Sequence, residues 1–387
     1  MVQVRFSCVA ALAFAAAMLA ACSSGTGTTS PGPPMQNHSG SSVLVTPPVL
    51  STLTTEQTIG STSPDTPHDV NPYGLDVAKV TSGKIDAGDL VVCDFNNPGN
   101  VQGTGTEIVA LHPVVGSTPR LIVKDNTLMG CNALATAPTG SVWAAAFKAN
   151  DNPIFTSNGT LVTTLSNGPW NHPFGEAYAG LAISGNHPTF YVSNAGDGSL
   201  VRVTVHTSST DLTPCTAGTC TFEFTVIATG FPVNHGKPGS ILGPSGLNYL
   251  TAGDRLYVVD GTNNALYAIG NVSSVGANGI NVDASGQHFT GASAASAHVI
   301  FSGPPLNGPI SSAILPGGNI AVGNTLDPDG QNLIVEISPS GEELFVKNVD
   351  TGPAGAIFGM VATGTSSADA KLYFNDDNDN TVKVLSQ

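Results

Sequence analysis

Three histidines stand in short loops of similar make-up: PHDVNP from Pro67, WNHPF from Trp170 and FPVNHG from Phe231. Imidazoles are common metal ligands and titrate near neutral pH. His68, His172 and His235 can therefore hold a transition metal or exchange protons if a fold brings them together. Apart, they are loop residues with solvated or backbone-bonded rings. The same loops carry Tyr73, Trp170, Phe174 and Phe231, with Asn171 and Asn234 beside them. Such residues can wall an apolar pocket with a polar rim, or cover the ends of the elements beneath them.

Acidic and amide residues form a second group. DFNN from Asp94, NAGDG from Asn194, DGTNN from Asp260, NTLDPDG from Asn324 and NDDNDN from Asn375 follow apolar runs. Clustered oxygens suit calcium, especially in the last two tracts. Asn, Asp and Gly also tolerate positive φ, and their recurrence at one place in five copies favours hairpin turns. Glu176, in GEAY from Gly175, could be a ligand at a central axis, but no matching acidic set stands in the other copies, so that reading fails residue by residue. The chain has no nucleophile elbow, no HExxH zinc motif, no phosphate-binding loop and no haem-attachment motif. No cofactor is therefore indicated beyond a transition metal or calcium. A binding role leads over an enzymatic one, which stays open as a metal-dependent lyase or hydrolase.

A repeat must position these residues. Its clearest copy runs from Gly243 to Val272, where PSGL from Pro244 leads into RLYVVD from Arg255, the turn GTNN from Gly261 and ALYAIG from Ala265. An imperfect repeat of about 45–70 residues with four short strands per copy predicts a β-propeller. Inner strands begin near Gly74, Cys131, Gly175, Gly246, Ser311 and Gly359, which makes six blades. Second strands follow, such as LVVCD from Leu90 and LYFND from Leu372. Third strands include EIVAL from Glu107 and TVKVL from Thr381, and outer strands include LIVK from Leu121 and HVIFS from His298. In a meander, the loop entering the first strand and the turn between second and third lie on one face. That places the loop histidines and aromatics together on the entry-loop face. The sixth copy stops after its third strand, and an unpaired edge is a liability. A segment between Val43 and Ile59 is expected to supply the missing strand.

The N-terminal region reads differently. Val9 to Ala21 is an apolar run after a short n-region, too short to span a membrane and suited to a signal peptide. It ends in LAAC at Cys22, which resembles the lipobox of bacterial lipoproteins. The resemblance implies a lipid-modified Cys22, a membrane-lipid partner through the acyl anchor and an extracytoplasmic place in the cell envelope. Ordinary secretion, with Cys22 incidental, is the alternative. Residues 22–42 are rich in Ser, Thr, Gly and Pro and read as a flexible tether, leaving 43–387 for the propeller. A net charge of −15 argues against nucleic-acid partners. Four cysteines remain once Cys8 and Cys22 are set aside, an even number as expected for disulfides in an exported chain: Cys215–Cys220 around a short loop, then Cys93–Cys131.

Three stretches carry a family likeness: NPYGLDV from Asn71 with LVVCDFNN from Leu90, HPFG from His172 with YVSNAGDG from Tyr191, and PSGL with LYVVDGTNN from Leu256. These resemble NHL-type repeats of six-bladed propellers. The likeness implies an all-β ring of four-stranded blades. Such propellers include scaffolds and enzymes, so a protein or small-molecule partner stays unnamed.

Overall fold

In a computed structural model, residues 47–63, 68–180, 187–207, 220–235, 241–326 and 331–387 are described. They form six antiparallel blades. Blade one is Val70–Val77, Leu90–Asn96, Glu107–Leu111 and Arg120–Lys124; blade two is Cys131–Thr136, Val142–Ala146, Pro153–Phe155 and Leu161–Thr164. Blade three is Pro173–Gly180, Thr189–Asn194, Ser199–Thr207 and Cys220–Thr229; blade four is Pro244–Leu250, Arg255–Asp260, Ala265–Ile269 and Ala297–Ser302. Blade five is Pro309–Ile314, Ile320–Asn324, Asn332–Ile337 and Glu343–Asp350. Blade six takes Ile357–Thr363, Lys371–Asp376 and Thr381–Ser386 from one end of the chain and its outer strand, Thr55–Ser61, from the other.

That closing strand pairs Thr55 with Ser386 and Ser61 with Thr381. It ends two residues beyond the expected window. The residues before it form a helical turn, Val49–Thr52, in which the Val49 and Leu50 amides donate to the two Glu336 carboxylate oxygens at 3.0 and 2.7 Å. Leu50 and Leu53 fill the layer between blades five and six. Hydrophobic demand thus keeps this stretch out of the sheet and the strand begins later.

Each apolar layer lies between two blades, and the innermost strands touch in cyclic order, the sixth returning to the first. Second strands such as Leu90–Asn96 are buried along their whole length because neighbouring blades cover both faces. All six innermost strands carry a register irregularity near their start, for example between Pro72 and Gly74 and between Pro173 and Glu176. A bulge re-aims side chains. Small residues there let adjacent strands converge, and a Cβ on Gly175 would strike the Ser245 carbonyl.

Cys93 and Cys131 form the expected disulfide, Cα–Cα 5.8 Å, joining blades one and two. Cys215 lies outside the described residues, as do Cys22, the signal segment and the tether. One feature was not expected. An insertion in blade four forms a hairpin, Ile280–Val282 and Phe289–Thr290, whose first strand runs parallel to the edge of blade three with Ala228 opposite Ile280. It covers an edge that would otherwise be open. Among the described residues, no helix is long and apolar enough to cross a membrane.

Candidate functional site

The axis is divided by a partition. Tyr73, Phe174, Ile310 and Phe358, from the inner strands of four blades, belong to one buried cluster with Phe95, Phe147 and Ile241. Tyr73 stacks on Phe358 at 3.8 Å between ring centroids and on Phe95 at 4.4 Å. The same four residues line two cavities, one on each side.

On the entry-loop side is a bowl of about 320 Å³. Its rim includes Asn71, Asn96, Asn100, Gln102, Asp377 and Asn378. These groups hold one another. Asn96 donates to the Asn100 side-chain oxygen at 2.7 Å and accepts from the Gly103 amide at 3.1 Å. Asn71, with its amide turned to satisfy both neighbours, donates to Asp377 at 2.6 Å and accepts from Asn96 at 3.0 Å. Asn378 donates to Asp350 and to the Pro353 carbonyl. Burial, and then the neighbouring Asp376, push the Asp377 carboxyl up to about 7.

On the far side is an axial cavity of about 190 Å³ lined by all six innermost strands. Asp76, Tyr178, Asn248, Tyr249 and Val361 line it near the later ends of those strands and are part-exposed, so it opens on the face opposite the bowl. Deeper in, both amide atoms of Asn132, Oε1 of Glu176 and Oγ of Ser311 are buried without a protein partner. The other Glu176 oxygen accepts from Asn152 at 3.2 Å. Burial pushes the Glu176 carboxyl up to about 8, the Asn152 hydrogen bond opposing it.

The residues singled out by sequence are dispersed. His68 bonds Glu107 at 3.1 Å, within a network that includes Lys124. His172 stacks on Phe147 at 4.5 Å, and His235 is exposed. The three do not form a set of mutually reachable ligand atoms among the described residues. The set that does is Asp86, Asp89 and His112. Arg120 already sits in it, 2.7 Å from His112 Nε2 and bonded to Asp89, which makes it an ion-pair cluster.

Of the expected ligand residues, Tyr73 lines both cavities. Trp170 is buried between blades two and three, its indole donating to the Leu165 carbonyl at 2.6 Å, and Phe231 packs edge-on to Tyr267 between blades three and four. These two cover blade ends because their loops cross the inter-blade seams. Asn171 accepts from the Gly196 amide through its carbonyl, and Asn234 accepts from the Leu242 amide at 2.9 Å, so both tie loops together. The acidic tracts behave as turns. Asp260 accepts from the Thr262 amide at 2.8 Å, and in NDDNDN the Lys383 ammonium takes Asp376 at 2.5 Å and Asp379 at 3.0 Å. The carboxylates of DPDG lie outside the described residues.

Sequence reading missed the rim and Asn132. Asn96, Asp377 and Asn378 stand in tracts already noted as turns, so composition carried a signal whose second use was hidden; Asn71 stands in an entry-loop tract, and Asn100 and Gln102 carried no such signal. Asn132 left one faint mark, a large amide in a strand of small residues.

No family model and no curated protein sequence matches the chain. Solved structures do share its shape. Regucalcin from Agrobacterium tumefaciens strain C58, described as a calcium-binding protein, is 14% identical with a TM-score of 0.50, covering 86% of this chain and 93% of that one. Virginiamycin B lyase from Staphylococcus aureus is 15% identical with a TM-score of 0.47, covering 86% and 85%. At such identity the likeness to regucalcin supports the propeller architecture and nothing finer.

Proposed function

We propose that this chain is a non-catalytic binding propeller whose entry-loop bowl receives a small polyhydroxylated ligand such as a sugar unit. The observation that carries the reading is the bowl's construction, a floor of stacked aromatics under a rim of side-chain amides. Sugar rings present apolar C–H faces to aromatic surfaces and hydroxyls to amides, and few precisely placed polar groups over an apolar floor are how small-molecule sites gain orientation. The mutual hydrogen bonds of the rim hold its donors and acceptors in place, which limits the ordering cost on binding. The NHL-type likeness fits a scaffold of this kind. The dispersed positions of His68, His172 and His235 lend no support to a metal-dependent lyase or hydrolase.

The LAAC signature further supports placing the protein outside the cytoplasm, held to a membrane through acylated Cys22. The test of the binding reading is a glycan array probed with the purified full chain, followed by calorimetry on the retained saccharides. Asn100→Ala combined with Asn378→Ala is expected to weaken binding at least tenfold with little change in melting temperature. An array that retains nothing, or variants that bind as the parent does, would overturn it. Fatty-acid labelling that persists in Cys22→Ala would overturn the anchor.

A further inference from the structure

We propose that the axial cavity is a second binding site, separate from the bowl, for a small organic ammonium compound entering from the opposite face. Its walls come from every blade, so the site is built by the whole ring. A volume of about 190 Å³ corresponds to roughly six water molecules, enough for a compact amine.

The polar groups inside define the chemistry. Buried side chains almost always find hydrogen-bond partners, and an exception asks for an explanation. Here Asn132, Glu176 and Ser311 together present four such atoms, and three of them, Oδ1, Oε1 and Oγ, are oxygens able to accept from N–H groups. The charged side chains of the lining are Asp76, Lys79 and Glu176. Lys79 is committed: it bonds Asp76 at 3.1 Å and the Thr136 carbonyl at 2.6 Å, and lies 5.7 Å over the Tyr178 ring. Asp76 also accepts from Thr136. Glu176 alone lacks a cation. Tyr73, Phe174 and Phe358 close the inner end with aromatic surface, which attracts a cation through the ring quadrupole. An ammonium group can thus meet a carboxylate, neighbouring oxygens and aromatic surface in one cavity.

The titration of Glu176 fits this chemistry. The groups facing it are Asn152 from blade two and, at longer range, Asp76 from blade one. Burial raises its pKa to about 8, so at neutral pH it is mainly protonated. An arriving cation favours the carboxylate, and the displaced proton leaves to buffer.

Calorimetry of the full chain with benzylamine and its neutral counterpart benzyl alcohol tests the proposal. At pH 7 benzylamine is expected to bind at least tenfold more tightly, releasing roughly one proton, read from titrations in buffers of different ionisation heat. Glu176→Gln should abolish that preference, Asn132→Leu should weaken both probes by removing the amide oxygen that accepts from them, and Asn378→Ala on the bowl rim should change neither. Circular dichroism and melting curves establish that each variant is folded. Equal affinity for amine and alcohol, an undiminished preference in Glu176→Gln, or no heat with either probe would overturn the site. Because the bowl is probed with saccharides and through different residues, either site can fail without the other.

Discussion

The bowl and the axial cavity share a wall but treat their polar groups in opposite ways. On the entry-loop side, Asn71, Asn96, Asn100 and Asp377 bond one another. Behind the partition, Asn132, Glu176 and Ser311 point buried atoms at no protein partner. The difference follows from where the residues stand. Rim groups lie at adjoining strand ends and turns of blades one and six, close enough to reach across. Axial groups lie on inner strands of blades two, three and five, and each faces the cavity from a different blade. A satisfied rim orients a ligand without needing one for stability, whereas an unsatisfied lining gains most from a ligand that completes its hydrogen bonds.

The sharpest way to break this contrast is to remove the wall. Phe358→Ala should cost about 3–5 kcal/mol, measured by denaturant unfolding, because a stacked aromatic leaves a void that rigid strands cannot collapse. It should also merge the two cavities, so that saccharide and amine probes begin to compete. Next in size is the pH response of Glu176. A carboxyl whose folded pKa is raised keeps more protons than the unfolded chain between its two pKa values, so stability falls as pH rises from about 4.5 to about 8. Glu176→Gln should match the parent near pH 4 and exceed it at pH 9, by an amount on the order of a few kcal/mol. Urea midpoints at the two pH values check this. A gain that is the same at both would show that packing and not ionisation is responsible.

Smaller effects sharpen the comparison. Asn132→Leu replaces an unpartnered buried amide with an apolar group of similar size and should stabilise the fold by about 1 kcal/mol. Asn378→Ala removes bonds in a part-exposed rim and should cost less than about 1 kcal/mol in thermal unfolding. If Asn132→Leu destabilised the protein more than Asn378→Ala, the axial lining would be the better satisfied of the two.

The ring itself was legible because strand and turn chemistry repeat. Period-2 strands, small inner residues and Asn/Asp turns recur often enough to count six blades and to expect a closing strand from the other end. Its exact place was less legible, since Leu50 and Leu53 look like strand residues and instead fill an inter-blade layer. The site was harder still. Trp170 and Tyr73 read alike in the sequence as entry-loop aromatics, yet one seals a seam and the other stands on an inner strand facing the axis. What separates them is the local course of the loop and the bulge at each inner strand, which no composition records. Glu176 stood out as an acid among small residues, but its unmet hydrogen bond arises only when six strands converge.

The pairing of Thr55 with Ser386 also has a bearing on how the molecule forms. Residues from opposite ends of the described chain must meet before blade six has its outer strand. Contacts so distant in sequence carry a large loop-closure entropy and slow folding. The other blades are each built from contiguous chain, so closing this edge is the step expected to come last. The partition draws none of its residues from that strand, so it is the outer seam of the ring, and not the wall between the two cavities, that waits on this pairing.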